Sequence, residues 1–156
     1  MNNRNLIIIL LILLLFSCGE LQDSFYKTLD DAKRSGAVER GWLPPVLPDS
    51  SCDIYERHDL DTNAVWIRFK INKNDMDKLL SQMEEVPPAE MDVVQFPEPR
   101  IKWWSKEISK NSVGKGQNGL RLFKYKRIIS YSDNKQKVET AFIIIDAKSE
   151  IIYYWQ

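Results

Sequence analysis

Histidine is nearly absent from this chain of 156 residues: His58 is its only one, alongside two cysteines, Cys18 and Cys52. So few ligands exclude a zinc centre built from a His and Cys cluster, and they leave a nucleophilic cysteine a single imidazole to draw on. Glycine is also sparse, with six residues and no phosphate-cradling run, which argues against a P-loop or a dinucleotide fold. Neither sign of charge dominates, since 22 basic residues face 22 acidic ones. A nucleic-acid partner needs a marked basic excess, so none is expected. No apolar run is long enough to span a bilayer, which takes roughly 17–25 residues; the most extended one is Leu6–Phe16.

That run is informative because it is short. Met1–Asn5 is polar with one positive charge at Arg4, Leu6–Phe16 is continuously apolar, and hydropathy falls at Ser17. A basic start, a brief apolar stretch and a small residue before the cut make a secretory signal over residues 1–17. Leu15-Phe16-Ser17-Cys18 resembles the lipobox of bacterial lipoproteins, in which cleavage before the cysteine exposes it for acylation. The resemblance implies a thioether-linked diacylglycerol on Cys18 and usually a third acyl chain on its amine. Two or three acyl chains give the stable membrane anchoring that one chain does not. Gly19 and Glu20 follow the cysteine where inner-membrane lipoproteins tend to carry Asp, so the expectation leans to the outer membrane in a two-membrane host.

With residues 1–17 removed, residues 18–27 read as a lipidated tether and 28–156 as one α+β domain. Loss of Arg4 leaves that chain one acid in excess. A lipidated Cys18 cannot pair, and Cys52 alone reads as a small apolar residue. Should Cys18 keep its thiol, a Cys18–Cys52 disulfide is the alternative. Thr28 and Asp31 form a capping box for a first helix ended by Gly36. Residues 36–48, with Trp42 and Pro44, Pro45 and Pro48, read as a stiff extended connector covering the core. Asp53–His58 and Ala64–Ile71 read as a hairpin; in the second strand Val65, Ile67, Phe69 and Ile71 alternate with Trp66, Arg68 and Lys70.

The turn between them carries Asp59, Asp61 and Asn63 at the spacing of the first three ligands of a calcium loop. The match stops there, because the required glycine is Ala64 and the bidentate glutamate position is Lys70. Asp and Asn also favour tight turns for backbone reasons, and the turn is the simpler reading. Asn74 is expected to cap a second helix, with Met76, Leu79, Leu80 and Met83 on one face. A short third helix is expected over Lys102–Ile108 and a mobile loop over Asn111–Gly119. Three strands follow, near 120–131, 137–146 and 150–155. The expected architecture is an antiparallel sheet of about five strands with two or three helices mainly on one face.

The chain resembles small bacterial lipoproteins carrying a YbbD-type head domain. The residues concerned are Ala32–Ala37 running into Arg40–Pro44, then Leu47-Pro48, Ile54–Asn63 and the closing Tyr153-Tyr154-Trp155. The resemblance implies membrane attachment and assigns no catalytic residue.

Five tryptophans and six tyrosines are many for this length, and such residues anchor interfaces. Trp66, Arg68, Trp103 and Trp155 are the candidate binding residues, in a non-catalytic module with an envelope partner and no cofactor. The competing reading is an envelope hydrolase using carboxylates near Asp59 and Asp61.

Overall fold

The computed structural model describes residues 21–97, 101–114, 119–130 and 136–156. Among these, seven strands form one sheet: β1 (Leu21–Thr28), β2 (Cys52–Asp59), β3 (Val65–Lys70), β4 (Glu84–Glu85), β5 (Leu120–Ser130), β6 (Gln136–Asp146) and β7 (Ile151–Trp155). Their order is β1-β2-β3-β7-β6-β5-β4, with every neighbouring pair antiparallel. Two meanders, β1-β2-β3 and β5-β6-β7, are joined where β3 meets β7, with Ile67 opposite Tyr154 and Trp66 opposite Trp155.

The α+β class holds, but the sheet has seven strands where about five were expected. One of the two additions is β1, whose Leu21–Lys27 had been assigned to the tether. Its sequence, LQDSFYKT, has no buried apolar residue, because an edge strand covers little core. It is held by full register against β2, from Leu21 opposite Asp59 to Thr28 opposite Cys52. The other addition, β4, is two exposed glutamates paired with Lys124 and Phe123 of β5.

Helix α1 (Leu29–Arg34) begins as its sequence predicts. Thr28 Oγ1 accepts from the Asp31 amide at 3.2 Å, and Asp31 Oδ2 accepts from the Thr28 amide at 3.1 Å. Such a cap stabilises by about 1 kcal/mol. Helix α2 (Lys73–Leu80) starts earlier than expected. Asn72, not Asn74, is its cap, with Oδ1 accepting from the Asp75 amide at 2.8 Å. The expected apolar face is present: Leu79 is buried, and Met76, Leu80 and Met83 lie against the core.

Residues 36–48 are not extended. Backbone bonds from Ala37 N to Ala32 O, Arg40 N to Gly36 O and Trp42 N to Ala37 O fold them into consecutive turns, with Gly36 and Gly41 at positive φ. They do cover the core, through Ala37, Leu43, Val46 and Leu47. The helix expected over Lys102–Ile108 is a run of turns, and helix α3 comes afterwards, at Lys110–Gly114. Part of the expected mobile loop is therefore helical; residues 115–118 of it lie outside the described residues.

Strand alternation gives the sheet two apolar faces. Ile54, Ile67, Phe69, Ile143, Ile152 and Tyr154 point to one, beneath α1, α2 and residues 37–47. Leu122, Ile144, Tyr153 and Trp155 point to the other, beneath the long excursion from Val86 to Val113. The helices were expected mainly on one face. α1 and α2 do share a face, but the opposite face is covered as well, by a mostly irregular segment that carries a 3-10 turn at Pro88–Val93 and α3. Apolarity on both sides of β6 is what requires that second cover. Among the described residues no helix is long and apolar enough to cross a membrane.

Candidate functional site

The excursion over the second face is tied down mainly near its start. The Val86 amide donates to Leu122 O at 2.9 Å, and Lys124 Nζ reaches Glu84 Oε1 at 2.9 Å and Glu90 Oε2 at 3.1 Å. Further along, Trp155 Nε1 donates to Gln95 O at 3.1 Å, and Lys110 Nζ pairs with Asp92 at 2.6 Å. From Ile101 the chain crosses the sheet with both Trp103 and Trp104 facing rings. Trp104 stands edge-on to Tyr153 at 5.2 Å, and Trp103 lies 5.9 Å from Tyr55. Tyr55 in turn meets Phe25 at 4.7 Å, and Arg68 lies over its ring at 5.3 Å.

Two clefts flank this crossing and share Ile101 and Lys102. The larger, about 810 Å³, is lined by Phe96, Ile101, Trp104 and Ile108, with Lys102, Lys106 and Lys110 around it. The smaller, about 450 Å³, lies between Phe25 and Tyr55 of the sheet and Trp103 of the crossing. Arg57 and Asp23 line it as a two-pronged ion pair, Arg57 Nε donating to Asp23 Oδ1 at 2.6 Å and Nη2 to Oδ2. That pair raises the Arg57 pKa, chiefly through its hydrogen bonds to Asp23.

The four residues expected to bind are brought to one face, but not as an exposed patch. Trp66 and Trp155 are cross-strand partners, with Trp155 buried and Trp66 half-buried in the same cluster. Trp155 also stacks on Phe142 at 5.5 Å. Arg68 is occupied with Tyr55, and of the four only Trp103 lines a cleft. Sequence reasoning missed Trp104, Ile108 and the lysines beside them. Their available signal was the three-residue to four-residue spacing of Trp104, Ile108 and Lys102, Lys106, Lys110, which here decorates turns leading into α3.

Asp59, Asp61 and Asn63 build the β2–β3 turn. Asp59 Oδ1 accepts from the amides of Asp61 at 3.0 Å and Thr62 at 3.2 Å, and Asn63 takes φ +57°, which Asn tolerates well. Those donors hold the Asp59 pKa below its usual value, the Thr62 amide most of all. Neither Asp59 nor Asp61 lines either cleft. Cys52 is a free, half-buried thiol, and Cys18 lies outside the described residues.

The first face holds an ionisable pair that the sequence reading also passed over. Ile54, Glu56 and His58 are the inward positions of β2, so the alternation that buries Ile54 buries both polar groups. Glu56 is fully buried, His58 nearly so, and among the described residues no group stands within hydrogen-bond distance and geometry of either Glu56 oxygen or of His58 Nδ1. Burial pushes the Glu56 carboxyl up to about 7, against which Ser24, its partner on β1, and Arg40 pull only in part. Burial lowers the His58 pKa, and Trp42 closes over that imidazole edge-on at 5.3 Å. Neither cleft reaches this pair.

The fold and the clefts thus define an α+β domain with a ligand-sized, ring-lined opening on one face of its sheet. Residues 20–70, about a third of the chain, match the family model described as the YbbD head domain, which is what this stretch is similar to. The match spans β1, α1, β2 and β3, including Glu56 and His58; the closing Tyr153-Tyr154-Trp155 lies beyond it. No curated protein and no solved structure matches the chain.

Proposed function

We propose that this chain is a non-catalytic binding module of the bacterial cell envelope, anchored by acyl chains on Cys18 and holding its ligand in the larger cleft of the second face. The observation that carries this reading is the cleft itself. Its volume of about 810 Å³ falls in the range of small-molecule sites, about 300–1,000 Å³. Its described lining sets two rings and aliphatic side chains beside three lysines, two serines and Asn111, so apolar surface for a ligand's body adjoins polar groups that can orient it. The lipobox-like Leu15–Cys18 supplies the address, and the outer membrane is the favoured one where the host has two. A near-neutral chain fits a partner other than nucleic acid.

A photo-crosslinking amino acid tests the reading in cells. Placed at Asn111, on the cleft, it captures an envelope molecule; placed at Asp77, exposed on α2 beneath the other face, it captures none. Equal capture from both positions, or none from Asn111, contradicts the proposal.

A further inference from the structure

We infer that the larger cleft takes a single acyl chain ending in an anionic group, an inference that rests on the binding-module reading and names its ligand class. Three observations converge on that chemistry. Phe96, Ile101, Trp104 and Ile108 give the cleft an apolar lining suited to a hydrocarbon body. Burying such a chain is favourable by about 0.8 kcal/mol for each methylene removed from water.

The second observation is charge. Lys102, Lys106 and Lys110 surround this lining, and among the described residues that line it none is acidic. Lys110 is engaged by Asp92. Lys102 and Lys106 are exposed and have no ion-pair partner among the described residues. An anionic head between two such ammonium groups gains charge-assisted hydrogen bonds that a neutral head cannot make.

The third observation is an unpaired donor. Trp104 is 6% exposed, and its indole Nε1–H is buried with no hydrogen-bond partner among the described residues. A buried tryptophan usually finds an acceptor for this group. Leaving it unmet costs about 1–3 kcal/mol. Its neighbour in the cluster, Trp155, has the main-chain oxygen of Gln95. Trp104 lines the cleft, and an oxygen-rich acidic head, carboxylate or phosphate, carries the acceptor that this donor lacks.

The test uses the full chain in its own envelope fraction. Three probes share one diazirine-bearing sixteen-carbon chain: palmitate, a lysophosphatidylglycerol and hexadecanol. After irradiation, labelled peptides are mapped and counted. Residues 96–111 are expected to carry at least five-fold more label from an anionic probe than from the alcohol. Preference between palmitate and the lysophospholipid tells a free carboxylate from a phosphate head. In a Lys102→Gln, Lys106→Gln double variant, whose changes are on exposed side chains and leave the core untouched, the advantage of the anionic probes collapses to within two-fold. Equal labelling by acid and alcohol in the parent, or an unchanged preference in the variant, overturns the inference. Absence of label at 96–111 from all three probes, with capture from Asn111 intact, overturns the acyl ligand and leaves the binding module standing. Loss of both overturns both.

Discussion

Glu56 and His58 sit two residues apart on β2 and face the same apolar side of the sheet, with Glu56 Oε1 3.9 Å from His58 Nδ1 and no hydrogen bond between them. Neither residue lines either cleft, so the effects of this pair are read in stability.

Glu56 has a folded pKa of about 7 against an ordinary 4.5. A carboxyl raised in this way binds its proton in the folded state while the unfolded chain has lost it, so stability falls as pH rises from about 4.5 to about 7. The penalty above that window is about 3 kcal/mol. His58 acts in the opposite sense: its lowered pKa removes stability as pH falls below its ordinary value near 6.5. Glu56→Gln, a neutral isostere, isolates the first effect. Denaturant titrations at pH 5 and pH 8 are expected to show parent and variant alike at pH 5 and the variant more stable at pH 8. A variant no more stable than the parent at pH 8 contradicts a buried, unpaired Glu56.

The β2–β3 turn gives a second expectation. Asp59 caps the turn with two amide donors, whereas the Asp61 side chain is exposed at its tip. Asp59→Ala is expected to lower the melting temperature relative to the parent, because two turn amides lose their acceptor. Asp61→Ala is expected to stay within about 0.5 kcal/mol of the parent. Melting of all three is expected to be insensitive to added calcium. A calcium-dependent rise in the parent that Asp61→Ala abolishes would replace the turn with a metal loop.

How far the sequence was legible follows from how each segment is buried. Strand β3 was readable because one of its faces is buried deep and the other only in part, which leaves a clean alternation from Val65 to Lys70. The box at Thr28 and Asp31 was readable because a cap is a local arrangement needing no tertiary partner. Strand β1 was not, because an edge strand takes its structure from register with β2 rather than from its own side chains. The burial of Glu56 and His58 was encoded in the phase set by Ile54, but a polar residue at an inward position reads as an outward one until the phase is fixed. Trp66, Arg68, Trp103 and Trp155 were named from residue type alone; what brings them to one face is the pairing of β3 with β7 and the ring contact of Tyr55 with Trp103, which composition does not carry. The cleft itself was not foreseeable. It exists because residues 86–97 and 101–113 lie over β5, β6 and β7, and Trp104 and Ile108 join one cluster through that irregular path.

Native mass spectrometry of the full chain, released from its envelope in mild detergent, tests the central claim most directly. The account predicts a chain that begins at Cys18, carries covalent acyl mass on that residue and retains a non-covalent adduct. It predicts that the adduct is lost from the Lys102→Gln, Lys106→Gln variant while the covalent mass remains. A chain that keeps residues 1–17, or one that begins at Cys18 without added mass and without adduct, contradicts it.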